Sequence, residues 1–326
     1  MFVGRIILKK LLRINAAVLI FISIIFLLVC NIIYSFSFST DSFFSKERAA
    51  DFLRSQELSA KNASASKNKK LDFLQQNKKD LYVNSKDNLR LHALYKENPE
   101  RSDTTVIVCH GYFGSSNSAK QYAQGFFKLG FNVLCPDSRA HGESEGNIIT
   151  MGYLEKDEII LWANELLKQN PNLNIILFGV SMGGATVLMA GGEESLPPNV
   201  KAIISDCSYS SAYDEVDYII KNITALKSSA LTKGISFISL LRSGFSLKAV
   251  SPIESVKKCK VPILFIHGSN DNFVPFSMLD ELYESASCKK QKLVITDASH
   301  GGSINKDSKL YWNTISKFIC ENLERS

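Results

Sequence analysis

Gly179-Val180-Ser181-Met182-Gly183 decides the fold of this chain. The run before it, Ile175-Ile176-Leu177-Phe178, is β-branched and aromatic and reads as a buried strand. The run after it, Gly184-Ala185-Thr186-Val187-Leu188-Met189-Ala190, is small and apolar and reads as a helix packed on a sheet. A serine therefore sits on a sharp strand-to-helix turn. Glycines two before and two after it let the backbone close, and the hydroxyl is held at the positive end of the helix. A pentapeptide this short is weak as a bare pattern, and its setting between strand and helix is what gives it meaning.

Outward from the serine, strand-like runs alternate with helical ones. Apolar strands fall at Thr105–Cys109, Asn132–Cys135, Ile175–Phe178, Ala202–Ser205, Ile263–Ile266 and Lys292–Thr296. Helical segments lie near Ala119–Leu129, Leu154–Gln169, Met182–Gly191, Met278–Ser287 and Lys309–Leu323. Leu81–Val83 and Leu89–Tyr95 alternate around Asn84–Asn88 and read as a hairpin ahead of them. The fold class is α/β, a mostly parallel sheet with helices on both faces. Ligands in such sheets sit beyond the carboxyl ends of the strands, where Ser181 falls.

A serine nucleophile needs a base, and the base needs an orienting acid. Five histidines are available. His92 lies in the hairpin, His110 and His267 follow strands as tight-turn residues, and His141 lies in a loop. His300 follows the last strand in a glycine-rich loop that can carry its ring over the sheet, so it is the expected base. Asp271, in the loop after the preceding strand, is the expected acid, with Asp206 as its rival. The order Ser181, Asp271, His300 is the one this constellation takes in such folds. The oxyanion donors are assigned to the backbone amides of Met182 and Tyr112, with Phe113 as the alternative to Tyr112.

With these residues in place, the sequence resembles the α/β-hydrolase superfamily. It is most similar to bacterial membrane-associated members described as serine aminopeptidase-like hydrolases or esterases. His110-Gly111, Asp137–Ser144, Gly179–Gly184, Gly268–Pro275 and Ser299-His300-Gly301 carry the resemblance, across residues 80–326. It implies a Ser–His–Asp hydrolase with no cofactor and no metal. Ala140 stands where the family loop often has glycine. Arg139, His141 and Asp157 read as a structural polar cluster.

The amino terminus differs in kind. Ala16–Tyr34 is apolar apart from Ser23 and Asn31, close to the roughly 20 residues that span hydrocarbon. Arg5, Lys9, Lys10 and Arg13 precede it. It reads as a transmembrane helix with its amino end cytoplasmic and the catalytic domain outside. A cleaved signal segment has the same charge order. Residues 1–40 are thus the membrane anchor or signal segment, 41–80 a Ser/Lys/Asn/Gln-rich tether, and 81–326 the hydrolase domain. A chain starting near Lys70 is expected to be soluble and active. Within the domain, 208–251 is long for a connection and carries recurring Ile, Leu and Phe, which reads as a helical cap over an apolar pocket.

Composition bounds the function. Of the net charge of +6, the first 40 residues contribute +4, so no basic surface remains for nucleic acid. Seven cysteines without a CxxC pair read as small buried residues, not as a disulfide frame or zinc site. The expected activity is acyl-enzyme hydrolysis of small carboxylic esters with short-to-medium acyl chains. A peptidase or aminopeptidase-like amidase, and an acyltransferase or thioesterase, remain open on the same triad. Glu215 and Asp214 are the candidates to hold a substrate ammonium. The sequence leaves the oligomeric state open.

Overall fold

The computed structural model describes residues 2–41, 74, 77–100, 102–224 and 229–323. The tether lies almost wholly outside the described residues. Eight strands form one sheet: β1 (Lys79–Asn84), β2 (Arg90–Lys96), β3 (Thr104–Cys109), β4 (Asn132–Pro136), β5 (Asn174–Val180), β6 (Val200–Asp206), β7 (Ile263–Gly268) and β8 (Lys290–Ile295). Their order is β1-β2-β4-β3-β5-β6-β7-β8. The β1–β2 hairpin and the β2–β4 pair are antiparallel, and every later pairing is parallel.

Side chains alternate across this sheet with the period of two that strands impose. Ile107, Cys109, Ile175 and Leu177 enter one core with α3 (Glu155–Gln169), α4 (Met182–Gly191) and α8 (Ser277–Ser285). Val106, Val108, Ile176 and Phe178 enter the other with α2 (Lys120–Lys128) and α10 (Ser308–Leu323). Helices on both faces explain why the central strands read as unbroken apolar runs. α4 is buried at every position, so its sequence shows no polar stripe.

Residues 208–251 contain two helices, α5 (Ala212–Thr224) and α6 (Ser229–Ser243). A 3-10 turn at Leu247–Ala249 and the short helices α7 (Pro252–Val256) and α9 (Ser303–Lys306) lie further along the chain. A third apolar cluster gathers Met182, Met189, Tyr209, Ile220, Ile235, Ile238, Phe245 and Val274. It packs α5 and α6 onto the carboxyl-end face of the sheet.

α1 is one helix, Phe2–Phe38, longer at both ends than the apolar stretch that marks it in the sequence. Its segment Lys9–Phe38 is long and apolar enough to cross a membrane or to serve as a signal sequence. Its last turns do not stand apart from the rest of the molecule. Cys30, Tyr34 and Phe38 are buried in the third cluster. Thr40 N–H donates to Asn147 O at 2.9 Å, and Ile149 N–H to Phe38 O at 2.8 Å.

Candidate active site

The elbow that carries Ser181 is built from close backbone approach. A Cβ on Gly179 would lie 2.1 Å from Gly183 O, and one on Gly183 would lie 2.4 Å from Cys109 O. Neither position can carry a side chain without moving main chain. Ser181 takes φ 55° and ψ −119°, a strained pair for a residue with a Cβ. Its N–H donates to Asp206 O at 2.8 Å, and its C=O accepts from Ala185 N–H at 3.0 Å. Both ends of the strained residue are thus held by neighbours.

His300 reaches this hydroxyl from the loop after β8. Its Nε2 lies 2.9 Å from Ser181 Oγ, and its Nδ1 lies 2.8 Å from Asp271 Oδ2. Asp271 Oδ1 accepts the amides of Phe273 and Val274 at 3.0 and 2.9 Å. His267 Nε2 stands 3.3 Å from Asp271 Oδ2. Burial raises the Asp271 pKa, but hydrogen bonds from His267 and His300 outweigh it and hold the carboxyl well below its usual range. The acid is therefore an anion across the neutral range. With Nδ1 bonded to that anion, the geometry leaves Nε2 as the acceptor facing the serine hydroxyl.

Asp206, the rival acid, faces elsewhere. Its Oδ2 accepts Tyr311 OH at 2.8 Å, and burial pushes its carboxyl up to about 6. It does not hydrogen-bond His300 among the described residues.

The loop after β3 lies directly against the serine. A Cβ on Gly111 would sit 3.4 Å from Ser181 Cβ. Of the two amides that the sequence offers there, Phe113 N–H donates to His141 Nε2 at 3.2 Å. His110 pins the same loop from below: its Nδ1 meets Gly111 O at 2.7 Å, and its Nε2 accepts Ser138 N–H at 3.1 Å. Burial lowers the pKa of both His110 and His141, the latter to about 3, so both are neutral props.

Of the expected cluster of Arg139, His141 and Asp157, the first two meet, His141 Nδ1 lying 2.8 Å from Arg139 O, and Asp157 stands apart. Arg139 pairs with Glu158 at 2.7 Å and with Asp87 at 3.0 Å, whereas Asp157 binds Lys86 and Lys156. His141 also serves the Tyr112 loop. Ala140 sits at φ 60°, the left-handed region, which is why glycine suits that position.

Sequence reasoning missed the second partner of Asp271. His267 was read as a turn residue, and its position four before the acid was the available signal. Phe273 was missed too; its ring centroid lies 4.9 Å from that of His300. Cys207 Sγ lies within 4.8 Å of ligand atoms of Asp271 and His300, the one grouping of metal-ligating atoms among the described residues. Both His300 nitrogens already face Ser181 and Asp271, and burial pushes the Cys207 thiol well above its usual range. That donor set fits a proton relay better than a metal.

Glu215, at the start of α5, is buried with neither carboxyl oxygen hydrogen-bonded among the described residues. Desolvation, and then the charge of Asp271, push it up to about 8.

A strand–elbow–helix turn with a serine, histidine and aspartate in line beyond a mostly parallel sheet defines the α/β-hydrolase class. The family model for the alpha/beta hydrolase fold matches residues 104–225. The uncharacterized protein YqkD of Bacillus subtilis is 29% identical over 226 residues, 69% of this chain and 74% of its own. The alpha/beta hydrolase domain-containing protein WAV2 of Arabidopsis thaliana is 23% identical over 246 residues, 74% of this chain and 78% of its own. Among solved structures, the esterase Pf2001 of Pyrococcus furiosus superposes with a TM-score of 0.62 at 22% identity, covering 79% of this chain and 97% of that one. The acylaminoacyl peptidase of Pyrococcus horikoshii gives 0.57 at 18%, covering 75% and 41%. The chain has the alpha/beta hydrolase fold, with the family model matching its central part.

Proposed function

We propose that this protein is a serine hydrolase that cleaves carboxylic esters of short-to-medium acyl chains through an acyl-enzyme. The observation that carries the reading is the continuous line Ser181 Oγ–His300 Nε2, His300 Nδ1–Asp271 Oδ2, at 2.9 and 2.8 Å. Ser181 Oγ attacks the ester carbonyl carbon while His300 Nε2 takes its proton. The amides of Met182 and Tyr112 hold the oxyanion. The tetrahedral intermediate expels the alcohol, which receives the proton from His300. Water then attacks the acyl-serine by the same route and releases the acid. The apolar cluster beside Met182 and Val274 suits an acyl chain, each buried methylene contributing about 0.8 kcal/mol. The esterase and peptidase likenesses support a hydrolase at the coarser level. The N-terminal helix acts as a single-pass anchor, with its amino end cytoplasmic and the catalytic domain on the outer side.

A second reading, an aminopeptidase-like amidase, is favoured by Glu215 alone. A buried carboxyl without a partner would take a substrate ammonium and ionise as it did so. Asp214, the other candidate, is exposed. Fluorophosphonate labelling of Ser181 tests the mechanism. The ratio of kcat/KM for p-nitrophenyl esters of graded length to that for aminoacyl-naphthylamides tests the substrate. Esters are expected to be faster with an optimum in chain length; faster amides, lost in Glu215→Gln, would put the second reading first.

A further inference from the structure

The end of α1 and the helix α6 lie side by side and run the same way. A Cβ on Gly234 would lie 2.4 Å from Cys30 Sγ and 2.9 Å from Phe26. One helical stretch further on, Arg242 stacks on the Tyr34 ring at 4.7 Å and donates to Asn31 Oδ1 at 3.0 Å. Tyr34 OH and Ser243 Oγ are hydrogen-bonded.

This pairing fixes the depth of α6 if α1 crosses a bilayer. Helical rise is about 1.5 Å per residue, so the apolar stretch Ala16–Tyr34 covers about 30 Å, the thickness of the hydrocarbon. Lys9, Lys10 and Arg13 stay on the near side. Tyr34 then marks the far boundary, with Phe26 and Cys30 one to two turns inside it. Gly234 faces those two residues, so the first half of α6 lies about 6–12 Å inside that boundary and its end, at Arg242, reaches it. The side of α6 turned away from both α1 and the domain carries Phe237, Leu240 and Leu241, which are 48%, 49% and 66% exposed. On a helix these lie on one face, continuous with the exposed apolar side of α1. Lys233, one turn before Phe237, is exposed on the same side and lies deeper than Phe237, so its long stem must run along α6 for the ammonium to approach the headgroups.

The catalytic loop is tied to the same place. Tyr112 OH donates to Ser37 O in the last turn of α1. Phe38, Phe113 and Met182 share one apolar cluster with α6. Met182, the residue after Ser181, thus shares its packing with the end of α1 and with α6.

We infer that the outer face of α6 is embedded in the bilayer that α1 spans, and that the site takes its acyl ester directly from the lipid phase. The occupant of the stripe is lipid, and the substrate class is the acyl ester of a membrane-resident amphiphile. The inference rests on the ester-hydrolase reading and on α1 as a membrane span.

The test uses the full chain reconstituted in phosphatidylcholine–phosphatidylglycerol vesicles. The substrates are 4-methylumbelliferyl octanoate dissolved in the vesicles and p-nitrophenyl acetate in the water. A variant carrying Phe237→Gln, Leu240→Gln and Leu241→Gln together changes exposed positions only and keeps helix-forming residues. Its turnover of the vesicle-borne octanoate is expected to fall at least tenfold, with acetate turnover and vesicle attachment unchanged. Equal octanoate rates, or equal losses on both esters, would overturn the inference. A second arm needs no activity. Phe237→Trp in vesicles of brominated phosphatidylcholine is expected to be quenched well beyond the wild type, whose Trp162 is buried and whose Trp312, on α10, packs against Phe126 of α2. No added quenching, or a stripe found covered by a second copy of the chain, overturns the lipid assignment. Absent turnover of both esters together with absent fluorophosphonate labelling would instead reject the hydrolase reading, while the quenching still reports on α6.

Discussion

At the scale of single residues the proposed mechanism divides the site into groups that react and groups that hold them. Ser181→Ala and His300→Ala should each lower kcat by about 10⁶-fold, and Asp271→Asn by about 10⁴-fold, as in other triads. Single-turnover ester kinetics measure this, and full activity in Asp271→Ala would move the acid role to Asp206. Glu215 makes a pH prediction with a definite sign. Its folded pKa of about 8 stands above its ordinary value near 4.5, so the folded state holds the proton more tightly than the unfolded chain. The stability this gives is fully present below pH 4.5 and is lost as pH rises through 8. Glu215→Gln, which cannot ionise, should therefore be more stable than wild type at pH 9 by about 1–3 kcal/mol, and no more stable at pH 4. Thermal melts at the two pH values decide it; a gain at pH 4 would show that packing, not charge, is the cause. Ser181, Asp271 and His300 were legible in sequence because each follows a strand, and strand ends gather on one edge of a parallel sheet. His267 was not, because its contact with Asp271 depends on which way a ring turns across a loop. Arg139 illustrates the same limit on α3: Asp157 and Glu158 are neighbours in sequence but about 100° apart on the helix, and only the observed phase selects Glu158.

At the scale of elements, the elbow is the stiffest piece of the design and the most sensitive to substitution. Gly179→Ala and Gly183→Ala both force a Cβ into main-chain atoms that belong to different elements. Each should cost about 3 kcal/mol or more of stability and abolish fluorophosphonate labelling. Labelling at wild-type rate in either variant would mean that the turn can open without losing the serine. Strands and helices of the sheet were readable because apolar alternation and length fix them, with boundaries off by only a residue or two. The helices α5 and α6 could be expected only as a helical cap without bounds. Their apolar residues face both inward, to Met182 and Val274, and outward, so no single period marks their ends.

At the scale of the whole molecule, the amino-terminal helix packs against the loop and the cap helix that border the candidate site. Composition separates residues 1–40 from 81–326 sharply, and a chain starting near Lys70 reads as a free-standing soluble enzyme. The structure adds contacts that composition cannot carry, since they join residues some 75 to 210 positions apart: Tyr112 to Ser37, Arg242 to Asn31 and Ser35, Ile149 to Phe38. Without α1, the surfaces of α6 and of the Tyr112 loop that cover Cys30, Tyr34 and Phe38 become exposed. The chain starting at Lys70 is therefore expected to fold, because both sheet cores are complete without α1, but to melt several degrees lower and to turn over esters more slowly. In the full chain, Phe38→Ala should cost about 3 kcal/mol through loss of buried packing. Tyr112→Phe removes only the hydroxyl bonded to Ser37 and keeps the Tyr112 amide, so it should cost about 1 kcal/mol. The measurement that separates anchoring from positioning is kcat on p-nitrophenyl acetate in water. It should fall in the shortened chain and in Tyr112→Phe while fluorophosphonate still reaches Ser181, because the oxyanion donor is displaced and the nucleophile is not. An unchanged kcat in both would reduce α1 to an anchor and leave the loop to be held by His110 and His141 alone.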